Sequence, residues 1–299
     1  MIGFIVDVEF VWGFQARVVG LSKTSPSFYY PPPTTFLGAM AEVVAKENNV
    51  GEDIGKLIVN EFGRNLLAIG FRPINCIPIK YEDLNKVIAV KITSGIQYPD
   101  PSDLGKSFDS PARGKTILSS LDERPPKIRW FLVFRDKEIQ VQDDILRSKI
   151  EKIVMDEDLF WRITRLGSKE SLVCVENVKA FGREEMHISS GYITTNYAFP
   201  VASMKVGDEK TKRWGNEIYV NPFNGNIYQR SLDEKRKYKD ISGIFGKYFE
   251  EKDLIIFKIP TIVLLKDLPE YIVILDDHWR VYSVSYEDGR EAVIGRWQI

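Results

Sequence analysis

Three consecutive prolines, Pro31-Pro32-Pro33, run directly into Thr34-Thr35-Phe36-Leu37-Gly38-Ala39-Met40-Ala41, and no other stretch of the chain restricts its local structure so tightly. Each proline fixes φ near about −65° and removes a backbone donor, so the run fits neither a helix interior nor a central strand. It does suit a helix start, where the missing N–H is not needed. Phe36, Leu37, Met40, Val43 and Val44 then recur at the spacing of one apolar helix face. The segment predicts an extended entry, a cap at Thr34 or Thr35, and a core-facing helix. Unpaired amides and the helix dipole at such a start can hold a phosphate; a helix that packs on the core and binds nothing has the same pattern.

Upstream, Phe4, Val6, Val8, Phe10 and Trp12 alternate with Ile5, Asp7, Glu9 and Val11, which predicts a half-buried strand. A loop over 13–33 carries Arg17, Ser22, Lys23 and Thr24. A second helix is expected over 53–62, with Ile54, Leu57 and Ile58 inward, followed by strands over 66–71, 87–92 and 128–134. Asp143 or Asp144 caps a further helix bearing Ile145, Leu146, Ile150, Ile153 and Val154, and a strand over 171–178 closes the set. Strand, helix, strand, strand, helix, strand is the split order of an α+β ferredoxin-like (RRM-like) domain, here residues 1–180. From 181 to 299 the texture becomes that of a β-rich domain. Asn224-Gly225 lies between strand-like 217–220 and 226–229, and Asp288-Gly289 between 281–286 and 291–294, both hairpin signals. The mixed-sign run 231–240 reads as a solvated loop or helix face, with RNA contact as the lesser reading.

With 299 residues, 44% of them hydrophobic, the chain can build a sizeable core and exceeds ordinary single-domain length. Its 41 basic and 42 acidic residues leave a net charge of −1, so any nucleic-acid contact must use local basic clusters. That neutrality suits a subunit buried in a larger assembly. Cys76 and Cys174 each sit in an apolar stretch, which fits reduced core thiols better than a disulfide. Asp7 and Glu9 interrupt the first apolar run and no basic flank precedes it, so no signal peptide is read. No segment has the apolar length of a membrane span, and a cytoplasmic protein without membrane contact is expected. Two cysteines and two histidines lack zinc-ligand spacing, so neither metal nor cofactor is expected.

Two further regions carry polar chemistry. Residues 93–126, rich in Pro, Gly, Ser and Asp, connect two strands, and a connection that long is usually functional or disordered. Gly105-Lys106-Ser107 and Gly114-Lys115-Thr116 imitate the end of a nucleotide-binding loop, but Asp100 and Asp109 stand where the first glycine is needed. Nucleoside triphosphate hydrolysis is therefore rejected, leaving the lysines and hydroxyls to meet RNA phosphates or simply to solvate a surface loop. In Trp161-Arg162-Ile163-Thr164-Arg165-Leu166-Gly167-Ser168-Lys169-Glu170-Ser171, a glycine stands among three cations and three hydroxyls. Such a bend can form an anion-binding concavity; a plain polar turn explains it equally.

The first strand, the Pro31–Ala41 segment, the long basic insertion and Arg165-Leu166-Gly167-Ser168-Lys169-Glu170-Ser171 together resemble the CRISPR-associated Cas-five family of the RAMP superfamily, most of all its branch in archaeal type I-A systems. The resemblance covers the first domain by motif and the remainder by general layout. It implies a ferredoxin-like RAMP domain with a protruding thumb hairpin at one end of a Cascade surveillance complex, in antiviral defence. There the subunit would cap the five-prime handle of the CRISPR RNA (crRNA) and contact the Cas-seven backbone subunit and the large subunit, meeting target DNA only indirectly. The family pattern assigns handle binding to Thr34, Thr35 and Gly38 and to the turn of Arg165, Gly167, Ser168 and Lys169. Arg17, Lys23, Lys106, Arg113, Lys115 and Arg162 are the further basic candidates for RNA. The thumb would be drawn from 93–126, with Ile96, Tyr98 and Phe108 able to stack on a displaced base.

Some type I-C relatives cut precursor RNA without metal, which needs a general base, an acid and a cation at the scissile phosphate. Only His187 and His278 are available as histidines. His278, in Leu275-Asp276-Asp277-His278-Trp279, reads as a hairpin loop between two strands, and His187 has no evident partner. Type I-A systems leave processing to a separate enzyme, so the resemblance implies a non-enzyme. A metal-independent endoribonuclease on the same fold and a scaffold making only protein contacts are the other two readings.

Overall fold

The alternation of the first strand becomes β1 (Ile2–Phe10) in a computed structural model that describes residues 1–16, 27–82, 87–88, 91–93, 96–98, 108–109, 114–209, 213–226, 253–261, 269–287 and 289–297. β1 pairs antiparallel with β10 (Lys127–Phe134) on one side and β13 (Val173–Gly182) on the other, and β3 (Leu66–Pro73) flanks β10. β22 (Gly289–Arg296), β21 (Trp279–Tyr286) and β14 (His187–Ser189) extend the same sheet, giving the order β13-β1-β10-β3-β22-β21-β14. The change of texture at residue 181 therefore divides neither this sheet nor its core, into which Tyr219, Phe223, Phe257 and Ile259 also pack.

β1 is not half-buried, as the alternation predicts, but buried on both faces. Phe4, Val6, Val8 and Phe10 face the principal core, while Ile5 packs with Phe131, Met186, Tyr197 and Tyr282, supplied largely by later segments. Asp7, on that second face, is tolerated because Arg129 donates two hydrogen bonds to its carboxylate, at 2.7 and 2.8 Å. Val11 and Trp12 lie beyond the strand's end.

α1 (Pro33–Glu47) and α2 (Glu52–Asn65) cover the first face through Phe36, Leu37, Met40, Val43, Val44, Leu57 and Ile58. The expected helix after Asp143 is much shorter. α3 (Asp144–Arg147) ends after one turn, and β12 (Lys152–Val154) pairs with β11 (Glu138–Gln140) before α4 (Glu157–Trp161) returns the chain to β13. The reason is local. Ile153 is β-branched and finds a cross-strand partner in Ile139, and Asp156 starts a separate helix by accepting from the Leu159 amide.

The insertion is rooted earlier than residue 93. β4 (Cys76–Glu82) pairs with β9 (Gly114–Ser120), which also pairs with β2 (Gly13–Phe14). Between them, β5 (Val87–Ile88) pairs with β8 (Phe108–Asp109), and β6 (Lys91–Thr93) with β7 (Ile96–Tyr98); the strand expected over 87–92 is thus two short pieces. Two three-stranded sheets complete the described structure: β15 (Tyr192–Thr195), β20 (Tyr271–Leu275), β17 (Met204–Glu209), and β16 (Phe199–Pro200), β19 (Leu254–Pro260), β18 (Trp214–Val220).

The second expected hairpin is present as the antiparallel pair of β21 and β22, with Tyr286 opposite Gly289. At Asn224-Gly225, β18 instead pairs with β19, and residues 227–229 lie outside the described residues. β20 and β21, flanking His278, do not pair with one another but belong to different sheets. Cys76 is buried, yet Cys174 is exposed, because alternation along β13 turns Val173 and Val175 inward and the cysteine out.

Candidate nucleic-acid interface

The proline-led entry to α1 is clamped, not open. Phe28 packs on Tyr219, Tyr30 on Phe71 and Phe36 on Trp130, with ring centroids 5.2, 5.2 and 4.6 Å apart. The Tyr29 amide donates to the Glu217 carboxylate at 2.9 Å, a buried group that also accepts from Tyr219 Oη at 2.6 Å and Lys80 Nζ at 3.1 Å. The Thr116 hydroxyl donates to the Phe28 carbonyl and is fully buried, so it is not free for a phosphate.

The expected threonine cap is also corrected. Pro32 is the N-cap, with no side-chain cap, and its carbonyl accepts from the Thr35 amide at 2.8 Å and the Phe36 amide at 3.3 Å. Pro33 takes the first helical position, which displaces Thr34 and Thr35 into the first turn, where Thr34 is buried. Proline's preset φ has won the helix start from the hydroxyl residues.

The turn at Gly167 likewise spends several of its amides internally. Ser168 N–H donates to the Gln15 carbonyl at 3.0 Å, Leu166 N–H to the Ser171 carbonyl at 3.0 Å, and the Ser171 hydroxyl accepts from the Gln15 amide at 2.9 Å. Gly167 has φ +126°, and a Cβ there would stand 2.7 Å from the Gln15 carbonyl oxygen, so only glycine lets the turn close on this segment. The anchor fixes the chain at Gln15, just past β2.

What remains accessible lies one turn further along α1. Gly38 and Arg165 line one groove of about 530 Å³ between α1 and α2, with Ala41, Ala45, Gly55 and Val59. A Cβ at Gly38 would meet nothing within 4 Å, so packing does not demand glycine there, although glycine inside a helix costs about 1 kcal/mol against alanine. Arg165 donates to Glu42, which also pairs with Lys46 at 2.8 Å, and Arg162 pairs with Glu47. Burial would raise the Glu42 carboxyl, but Lys46 and Arg165 outweigh it and hold it below its ordinary value. Lys169 is exposed and has no ion pair among the described residues, and the Ser168 hydroxyl donates to Glu170 at 2.8 Å.

The two motifs 120 or more residues apart thus meet on one side of α1. Lys115 stands apart from them, exposed on β9 opposite Tyr81. Arg17, Lys23, Lys106 and Arg113 lie outside the described residues, as do the side chains of Ile96, Tyr98 and Phe108. Glu42, Glu47 and Gln15 organise the site and are absent from the sequence-based candidates. Only the i, i+4 spacing of Glu42 and Lys46 hints at a role. His187 sits on β14 opposite Ser283, and His278 occupies the turn after β20. Among the described residues no three His, Cys, Asp or Glu side chains gather as metal ligands, and no helix is long and apolar enough to cross a membrane.

Comparison with known proteins bears on this arrangement. A family model described as CRISPR-associated protein (Cas_Cas5) matches residues 5–214. The crystal structure of a CRISPR protein from Archaeoglobus fulgidus aligns over 100% of both chains, with 42% identity and a TM-score of 0.66. The CRISPR system aCascade subunit Cas5 1 of Saccharolobus solfataricus is 28% identical over 197 residues, 65% of this chain and 70% of that protein. The CRISPR-associated protein Cas5 3 of the same organism is 26% identical over 208 residues, 69% of this chain and 75% of its own. The proline-led helix, the Gly167 turn and the sheet that joins them are therefore parts of a protein that belongs to the CRISPR-associated Cas5 family.

Proposed function

We propose that this chain is the non-catalytic crRNA-binding subunit of a type I Cascade complex, most like type I-A, that caps the five-prime handle of the crRNA and contacts the Cas-seven backbone and large subunits. The observation that carries this reading is the groove shared by Gly38 and Arg165, with Lys169 exposed four residues on in the same turn segment. A glycine on a helix face with open space above it allows a sugar-phosphate chain to approach the backbone closely. Arg165 and Arg162, held by Glu42 and Glu47, are oriented before any ligand arrives and can exchange these carboxylates for phosphates.

The order β13-β1-β10-β3, with helices in both crossovers, supports a ferredoxin-like RAMP domain, and the β4–β9 pair supports a thumb rooted there. The name of the Saccharolobus relative, an aCascade subunit, supports the assembly. Arg165→Glu with Lys169→Glu, introduced into the chain co-expressed with its neighbouring subunits, is expected to lose crRNA from the assembled complex. Unchanged handle retention would refute the site. Incubation of the same chain with repeat RNA is expected to leave the RNA intact; a cut product would favour the endoribonuclease instead.

A further inference from the structure

The Gly167 turn lies at the end of the main sheet where Phe10 pairs with Val173. The opposite end, where Ile2 pairs with Phe134 and Gly182, gathers a different set of cations. Arg135 follows β10, Arg183 follows β13, Arg296 ends β22, and Arg280 lies beside Gly295 on β21. The phenol of Tyr282, which burial pushes up to about 12, feels all four guanidiniums, and its hydroxyl donates to the Arg296 carbonyl at 2.7 Å.

Among the described residues none of the four forms an ion pair with a carboxylate. Their hydrogen-bond partners are backbone carbonyls: Met186 for Arg183, Asp277 and Trp279 for Arg280, and Leu66 for Arg296. Neighbouring acids are engaged elsewhere. Glu61 pairs with Arg64 and Glu138 with Lys152, Asp277 pairs with Lys205 and feels the Arg280 charge only as a weaker influence, and Glu185 accepts from the Gly182 amide. Asp136 and Glu184 are exposed and reach none of these guanidiniums. Arg296 Nε is buried without a partner, and burial together with Arg135 brings that guanidinium down to about 10. A partly buried cation facing another cation is costly unless an anion completes the cluster.

We propose that this end of the sheet is a second nucleic-acid contact, one that grips the phosphodiester backbone of a single strand without reading its bases. Guanidinium forks match phosphate oxygens, and a row of unpaired cations across several strands suits a polyanion better than a single carboxylate. Arg280 also stacks on the exposed Trp297 ring at 5.0 Å, the kind of cation and aromatic pair on which an unpaired base can rest. The contact is separate from the handle site and stands at the other end of the sheet.

The test uses the full chain with single-stranded RNA and single-stranded DNA of equal length, titrated at increasing salt. Arg135→Gln with Arg183→Gln, both exposed, keeps the fold. Its log affinity against log salt is expected to flatten by about 0.7 for each phosphate that the variant no longer neutralises, with RNA, DNA or both, and the polymer that responds identifies the strand. The weakening is expected to add to that of Arg165→Glu with Lys169→Glu, which separates it from the handle site. Parent-like affinity and slope for both polymers would overturn the proposal, as would a parent chain that binds neither at low salt. A variant that keeps nucleic-acid binding but no longer joins neighbouring subunits would also overturn it, assigning the arginines to a protein partner.

Discussion

Asp7 and Arg129 face one another across β1 and β10, and the guanidinium continues to Glu291 on β22 at 2.7 Å, which Arg72 of β3 joins at 2.6 Å. Four strands are thereby connected by charge on a buried face. Burial alone would raise the Glu291 carboxyl, but Arg72 and then Arg129 more than offset it, leaving its pKa below the ordinary value. A carboxyl depressed in the folded state adds stability above its unfolded pKa, about 4.3, and loses it as pH falls through the lower folded value. Glu291→Gln is therefore expected to flatten the fall of unfolding free energy on the acid side of about pH 4, measured by urea titration at several pH values. An acid limb as steep as the parent's would mean that the carboxylate does not contribute. None of this is legible in sequence, where Asp7 reads as the solvent face of a half-buried strand.

At the scale of single elements, the Asp143 cap was legible and the length of the helix it starts was not. The Asp143 carboxylate accepts from the Ile145 and Leu146 amides, both at 3.0 Å, so the helix start is where the residue type puts it. The helix then stops after one turn, because Ile153 is claimed by Ile139 in the β11–β12 pair. Asp143→Ala is expected to cost about 1 kcal/mol, and Asp143→Ser to restore most of it, in equilibrium urea unfolding. Equal loss in both variants would assign the effect to something other than the cap. The start of α1 shows the converse: two good capping residues follow a proline that already supplies the first helical position, and the proline wins.

Over the whole molecule, β14, β21 and β22 finish a sheet that the first 180 residues begin, and Tyr197, Tyr219, Tyr282 and Phe257 fill its two cores. The fragment 1–180 would leave both cores open, and it is expected to melt without a cooperative transition and to bind a hydrophobic dye. A sharp, reversible transition in the fragment would show that the first region folds alone. The amino-acid order by itself determined what depends on neighbours in the chain: the helix after the prolines, the alternation of β1, the Asp143 cap, the hairpin of β21 and β22 and the motifs that carry the family resemblance. Tertiary structure decided which of those groups stay available. Arg165 meets Glu42 123 positions away, Gln15 meets Ser171 156 away, and Tyr29 meets Glu217 188 away. A backbone amide or a cation is free or spent according to partners that only folding brings within hydrogen-bond distance, and local pattern carries no record of them.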